Sequence, residues 1–223
     1  MIKKIFNIVD LLFPKVCGFC GKLDNQALCN KCKMELDKLA ENQILQMKNE
    51  KINLEFCNFE ELIYIFKYEG YIRNMIIDYK FNEKSYIYET FVNFVLKNKK
   101  IFEKLKTYDT IIPVPISRKR MKERGYNQSL LIAKKISKEL EITLHANCLF
   151  KTKNIIEQSK LNKEQRLQNI QNVYELKNKQ ILKNKTILLV DDIYTTGSTV
   201  QECSKILRQA EPKKIDVLVL AKD

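Results

Sequence analysis

The chain has 223 residues, 45% of them apolar and 30% charged, with a formal net charge of +13. That length accommodates one sizeable domain and a small appendage, and no stretch approaches the roughly 18 uninterrupted apolar residues of a membrane span. The positive excess is concentrated in residues 108–182, with 15 Lys and Arg against 7 Asp and Glu. Such a field attracts the phosphates of a nucleotide or of a nucleic-acid backbone, although lysines spread over solvated faces would give the same total.

At the start, Lys3 and Lys4 precede an apolar run as they would in a leader peptide. Asn7 and Asp10 interrupt that run and no small-residue cleavage site follows. Ile5, Phe6, Ile8, Val9, Leu12 and Phe13 instead fit a short amphipathic helix stopped by Pro14, and the expected location is the cytoplasm.

"CGFCGKLDNQALCNKCK" follows, placing Cys17, Cys20, Cys29 and Cys32 in a C-x2-C-x8-C-x2-C arrangement. Two residues between cysteines let both thiolates face one ion, and Gly18 and Gly21 supply the tight turns. Two such knuckles make a closed site with no position left for a substrate, which points to structural zinc, with iron as the alternative metal. A disulfide reading is weak in a reducing compartment. Cys57, Cys148 and Cys203 have no partner spacing and read as small hydrophobes. His145 is the only histidine, so Ser-His and Cys-His chemistry is not on offer.

Residues 33–56 read as a helix running into a polar linker, the expected domain boundary. "LIYIFKY" reads as a strand. Ile72, Met75, Ile76 and Tyr79 recur at helical spacing, and a second helical segment spans about 86–98. "YDTIIPVPI" is a short apolar strand ended by prolines, with a basic loop after it that holds Arg118, Lys119, Arg120 and Arg124. Residues 128–140 form a helix, 151–170 a polar stretch, and the chain closes with strand 186–190, helix 199–209 and strand 215–220. Strands alternating with helices predict an α/β fold with a parallel sheet, preceded by the four-cysteine module.

"ILLVDDIYTTGSTV" holds the most specific signal. Asp191 and Asp192 fall at the carboxyl end of a strand, where ligands bind in such sheets. Thr195, Thr196, Gly197, Ser198 and Thr199 then lead into a helix whose first N–H groups are unpaired, a ready anion site. Plain N-capping is the alternative, but it needs one such residue rather than five. A Walker loop is excluded, because no G-K-[ST] ending is present.

This stretch resembles the phosphoribosyl pyrophosphate (PRPP) signature of type I phosphoribosyltransferases. "IIPVPISRKRMKERGYNQS" is similar to a segment of the ComF family of bacterial competence proteins, as are "YEGYIRNMIIDYKF" and "QSKLNKEQRLQNIQNVY". The resemblance implies a type I phosphoribosyltransferase-like fold: a five-stranded parallel sheet under a hood (about 60–105), with residues 1–45 as helix and zinc module and 57–223 as the main domain. It also implies that Asp191 and Asp192 act catalytically and bind the ribose 2′ and 3′ hydroxyls, with magnesium bridging to the pyrophosphate. Thr195 to Thr199 would hold the 5-phosphate, and Arg124 would lie near the leaving group. Two functions follow from the resemblance. One is a PRPP-binding factor that handles incoming single-stranded DNA, through residues 108–182, beside a DNA-uptake helicase or other competence protein. The other is a working transferase that passes phosphoribosyl to a base or amine. The chain departs from the family pattern at Lys151 and Ile155, where Arg and Thr are usual; a lysine keeps the charge but loses the bidentate fork.

Overall fold

The computed structural model describes residues 16–17, 19–24, 28–47, 57–82, 84–152 and 173–223. The expected helix before Pro14, the linker after residue 47, Gly18, and the segment holding Ile155 and Gln158 lie outside them. In chain order the elements are α1 (Asn30–Met47), β1 (Glu61–Ile63), β2 (Phe66–Lys67), α2 (Gly70–Phe81), α3 (Ile87–Lys97), α4 (Lys99–Leu105) and β3 (Thr110–Pro113). After them come α5 (Arg118–Arg124), α6 (Gln128–Leu140), β4 (Thr143–Leu144), β5 (Leu149–Lys151), β6 (Tyr174–Leu176), β7 (Thr186–Val190), β8 (Ile193–Tyr194), α7 (Ser198–Arg208), β9 (Lys214–Leu218) and β10 (Ala221–Lys222).

The main sheet is five-stranded and parallel throughout, in the order β1-β9-β7-β3-β4. Ile187 to Val190 of β7 are all fully buried, which is why this strand reads as an unbroken apolar run. Side chains alternate faces, so the sheet feeds two cores. Leu188 and Val190 pack with Ile111, Leu218 and the buried faces of α2, α3 and α6. Ile187 and Leu189 pack with Ile112, Val217 and with Val200, Cys203 and Leu207 of α7. From β3 the chain crosses through α6 on one face; from β7 it crosses through α7 on the other. The direction of winding therefore reverses between β3 and β7, and their carboxyl ends splay open into a crevice.

Two expectations need correction. "LIYIFKY" is not one strand: β1 joins the main sheet, whereas β2 belongs to a small parallel sheet of order β2-β10-β8. The basic loop after Pro115 is a helix, α5. Ser117 caps it by accepting from the Arg120 N–H at 3.2 Å, and it ends at Gly125. Its charged face hid the helix, because α5 buries no residue and so leaves no apolar period to read.

The four-cysteine module shares the first of the two cores. Cys17, Leu28, Cys32 and Leu36 are buried together with Ile65, Phe66 and Ile72 of the hood region. The Phe19 and Tyr71 rings lie 4.8 Å apart, and Asp37 of α1 meets Lys97 of α3 at 3.3 Å.

Candidate functional site

The crevice between β3 and β7 encloses about 290 Å³ and is lined by Lys80, Arg120, Arg124, Ser129, Lys151, Asp191 and Asp192 among others. Asp191 and Asp192 sit where the sequence placed them, directly after β7. The Asp191 carboxylate accepts from Ser129 Oγ and from the Asp192 N–H, each at 2.9 Å. Asp192 is bound by Lys80 Nζ at 2.9 Å. Burial, then the charge of Asp192, push the Asp191 carboxyl up to about 7. Two adjacent carboxylates out of bulk water resist ionising together unless cations or hydroxyl donors face them.

The hydroxyl-rich loop forms a cradle of about 30 Å³ that opens beside this crevice, with Asp191, Thr195 and Thr199 lining both spaces. Gly197 occupies the N-cap of α7 with a φ of 74° and has no side chain to cap the helix; the neighbouring Thr196 Oγ1 accepts from the Ser198 N–H at 3.4 Å. A β-carbon there would stand 2.5 Å from the Tyr194 hydroxyl; only glycine allows this loop to close. Thr195, Thr196, Ser198 and Thr199 are exposed, and Thr196 Oγ1 and Ser198 Oγ touch at 2.7 Å. Capping takes up one hydroxyl, Thr196; Thr195, Ser198 and Thr199 line the cradle at the N-terminus of α7 as well, where an anion is favoured.

Five residues of "ERGYNQS" make contacts that shape the site. Arg124 Nη1 donates to Gln128 Oε1 at 3.1 Å, and its guanidinium lies over the Phe81 ring at 4.8 Å. Tyr126 donates its hydroxyl to the Tyr79 carbonyl. Asn127 caps α6 by accepting from Ser129 and Leu130 N–H groups and donates to the Val114 carbonyl at 3.0 Å. Ser129 then meets Asp191. Arg124 Nε and Gln128 Nε2 are buried without a hydrogen-bond partner; of the two residues, Arg124 lines the crevice. Burial and the neighbouring Arg120 charge lower the Arg124 pKa, yet a guanidinium keeps its proton in proteins. Lys151 is likewise lowered by burial, then by Arg120, and lies over the Tyr174 ring at 5.3 Å.

Of the residues the sequence singled out, Asp191, Asp192, Thr195, Thr199 and Arg124 line the crevice, whereas Thr196, Gly197 and Ser198 line only the cradle beside it. Sequence reasoning missed Lys80 and Ser129. Ser129 closes "IIPVPISRKRMKERGYNQS" and Lys80 lies within "YEGYIRNMIIDYKF", but nothing in either stretch gave these two residues a role of their own. The aromatic residues in the basic segment divide: Tyr108 and Tyr174 are buried core, while Tyr126 and Phe150 are half-buried.

At the other end of the chain, the Sγ atoms of Cys17, Cys20, Cys29 and Cys32 lie within 4.8 Å of one another. All four are free thiols, and Cys20 and Cys29 stand 3.8 Å apart at sulfur. A tetrahedral ion with Zn–S near 2.3 Å sets its sulfurs about 3.8 Å apart, so the donor set fits zinc. Burial raises the Cys17 thiol, but N–H groups of Cys29, Cys20 and Phe19 outweigh it and bring it down to about 7. Burial and the neighbouring thiols push Cys32 the other way. Four cysteines so close together could bind a metal such as zinc.

Residues 127–223 match the phosphoribosyl transferase domain. Over 100 residues the chain is 33% identical to competence protein F of Haemophilus influenzae, a match covering 44% of each protein; the chain thus spans less than half of that relative's length. Solved structures with a similar arrangement include a purine phosphoribosyltransferase from Pyrococcus horikoshii (16% identity, TM-score 0.37, 73% of this chain and 79% of that one). A hypothetical protein from Neisseria gonorrhoeae with bound ppGpp is 19% identical, with a TM-score of 0.39 over 62% and 68% of the two chains. A hypoxanthine phosphoribosyltransferase from Staphylococcus aureus is 12% identical, with a TM-score of 0.40 over 61% and 65%. Among the described residues no helix is long and apolar enough to cross a membrane. The chain thus carries a stretch that matches the phosphoribosyl transferase domain and a stretch similar to competence protein F, with a four-cysteine cluster ahead of the domain match.

Proposed function

We propose that the chain is a ComF-type competence protein whose crevice binds PRPP with magnesium and which handles single-stranded DNA. One observation carries the PRPP reading. At the switch point of the sheet, four cations (Lys80, Arg120, Arg124 and Lys151) share a crevice with two adjacent carboxylates, beside a hydroxyl-lined helix N-terminus. A sugar diol with a phosphate at one end and a pyrophosphate at the other matches that order of groups. Asp191 and Asp192 accept from the ribose hydroxyls, Thr195 to Thr199 and the α7 N–H groups hold the 5-phosphate, and Arg124 faces the pyrophosphate. Asp191 and Asp192 would hold a magnesium ion, which when bound would supply Lewis acidity.

The DNA reading rests on the relative's name and on charge. Arg118, Lys119 and Lys122 of α5 are exposed beside the crevice mouth, and Lys177 lies 4.8 Å from the half-buried Phe150 ring. A basic strip with aromatic faces is what a sequence-tolerant single-strand surface requires. Binding of an oligodeoxythymidylate should weaken with a slope of about −0.7 in log K per log salt for each phosphate neutralised. Reversing the charge of Arg118, Lys119 and Lys122 should flatten that slope by about 2. A salt-independent affinity in the parent removes the DNA reading. The cysteine module is assigned to docking a partner of the uptake machinery.

A second reading, transfer of phosphoribosyl to a base or amine, is favoured by the cations on the leaving-group side, since charge builds there in the transition state. Pyrophosphate release from PRPP across a panel of bases and amines tests it. Release that requires one acceptor establishes turnover; release with none leaves the crevice as a binding site.

A further inference from the structure

Lys80 lies on the hood helix, outside every segment that carries the phosphate and ribose chemistry. Its ammonium is nevertheless 2.9 Å from Asp192 Oδ1, with side chains only 19% and 10% exposed. Three consecutive residues at the end of α2 hold three different parts of the crevice. Tyr79 is fully buried, donates to the Gln128 carbonyl at 2.8 Å and accepts from Tyr126; Phe81 stacks under Arg124. Helical geometry turns successive side chains by about 100°, so Lys80 points away from the buried Tyr79 and reaches Asp192 through its four-carbon side chain. The attraction of Lys80 also eases the ionisation of Asp191, so one cation serves both acids.

Resting on the PRPP reading, we propose that Lys80 is a further ligand-binding residue: a built-in cation that neutralises Asp192 in the free protein and pairs with the pyrophosphate once the ribose diol takes the acid. In that position it performs part of the charge neutralisation otherwise left to a divalent metal. The parent therefore binds PRPP in a chelator-containing buffer, and lysine and metal are partly interchangeable.

Calorimetric titration of the full chain with PRPP, in magnesium and in EDTA, tests this for the parent, Lys80→Met and Lys80→Arg. Methionine keeps the length and volume of the stem while removing the charge; far-ultraviolet circular dichroism checks that the variant is folded. In EDTA, Lys80→Met should bind about tenfold to a hundredfold more weakly than the parent, the worth of a charge-assisted hydrogen bond. In magnesium the loss should shrink to a few-fold, and Lys80→Arg should restore most of the EDTA affinity. An equal loss in both buffers, or a parent that binds only with magnesium, overturns the role of Lys80 and leaves the PRPP site standing. No binding by the parent in either buffer overturns both.

Discussion

On the proposed reading, PRPP with magnesium should raise the melting temperature of the parent, and replacing Asp191 and Asp192 together by alanine should abolish that rise. A ligand at a hundredfold its Kd stabilises the state it binds by about 2.7 kcal/mol, which for a chain of this size is a shift of about 5–10 °C. The variant loses that shift because the crevice floor loses both acceptors for the diol, while the loop of Thr195 to Thr199 is left with an isolated phosphate to hold. A parent that shows no shift removes the PRPP reading; a variant that keeps the shift removes the two acids from it. The same site has a pH signature. Protonating Asp191 takes away an acceptor, so affinity rises as pH climbs through about 7. The stability of the free protein moves the other way. In the fold Asp191 keeps its proton to higher pH than it would in the unfolded chain. Between the usual carboxylate range and about 7 the unfolded state therefore binds fewer protons, and stability falls as pH rises through that window.

Removing metal from the four-cysteine cluster has the other large effect. Zinc bound by four thiolates contributes on the order of 10 kcal/mol of apparent binding energy at neutral pH, comparable with the whole stability of a domain. Because Cys17 and Cys32 belong to the same core as Phe66 and Ile72, the loss is not confined to the head. Cys17→Ser combined with Cys32→Ser, or treatment with a strong chelator, should lower the melting temperature of the entire chain and weaken its response to PRPP. Metal content measured alongside should fall from about one zinc per chain. An unchanged melt after chelation, or protein purified without chelator and holding far less than one metal ion, overturns the assignment.

How far the sequence reached can be traced residue by residue. The buried strand β7, the acids after it and the hydroxyl loop were legible because an unbroken apolar run, two charges and a glycine-bearing turn each break a different local expectation. The cysteine pairs were legible because metal geometry fixes their spacing. α5 was not, since a short helix with no buried face carries no period. The division of "LIYIFKY" between two sheets depends on which strands come alongside, β9 for one half and β10 for the other. Lys80 was hidden for a related reason: its partner is 112 residues away in the sequence, and only folding brings the hood helix over Asp192.

The place of β3 in the main sheet bears on where this protein can be cut. Matching the domain family begins at residue 127, but β3 ends at Pro113 and lies between β7 and β4. A fragment starting at residue 127 would lack the strand that joins them, and would expose one side of β7, apolar on both faces from Ile187 to Val190, as an unpaired edge. Such an edge templates aggregation. A unit that keeps the sheet closed across its middle must therefore begin before β3, and one that also covers the outer side of β9 must reach back past the hood to β1.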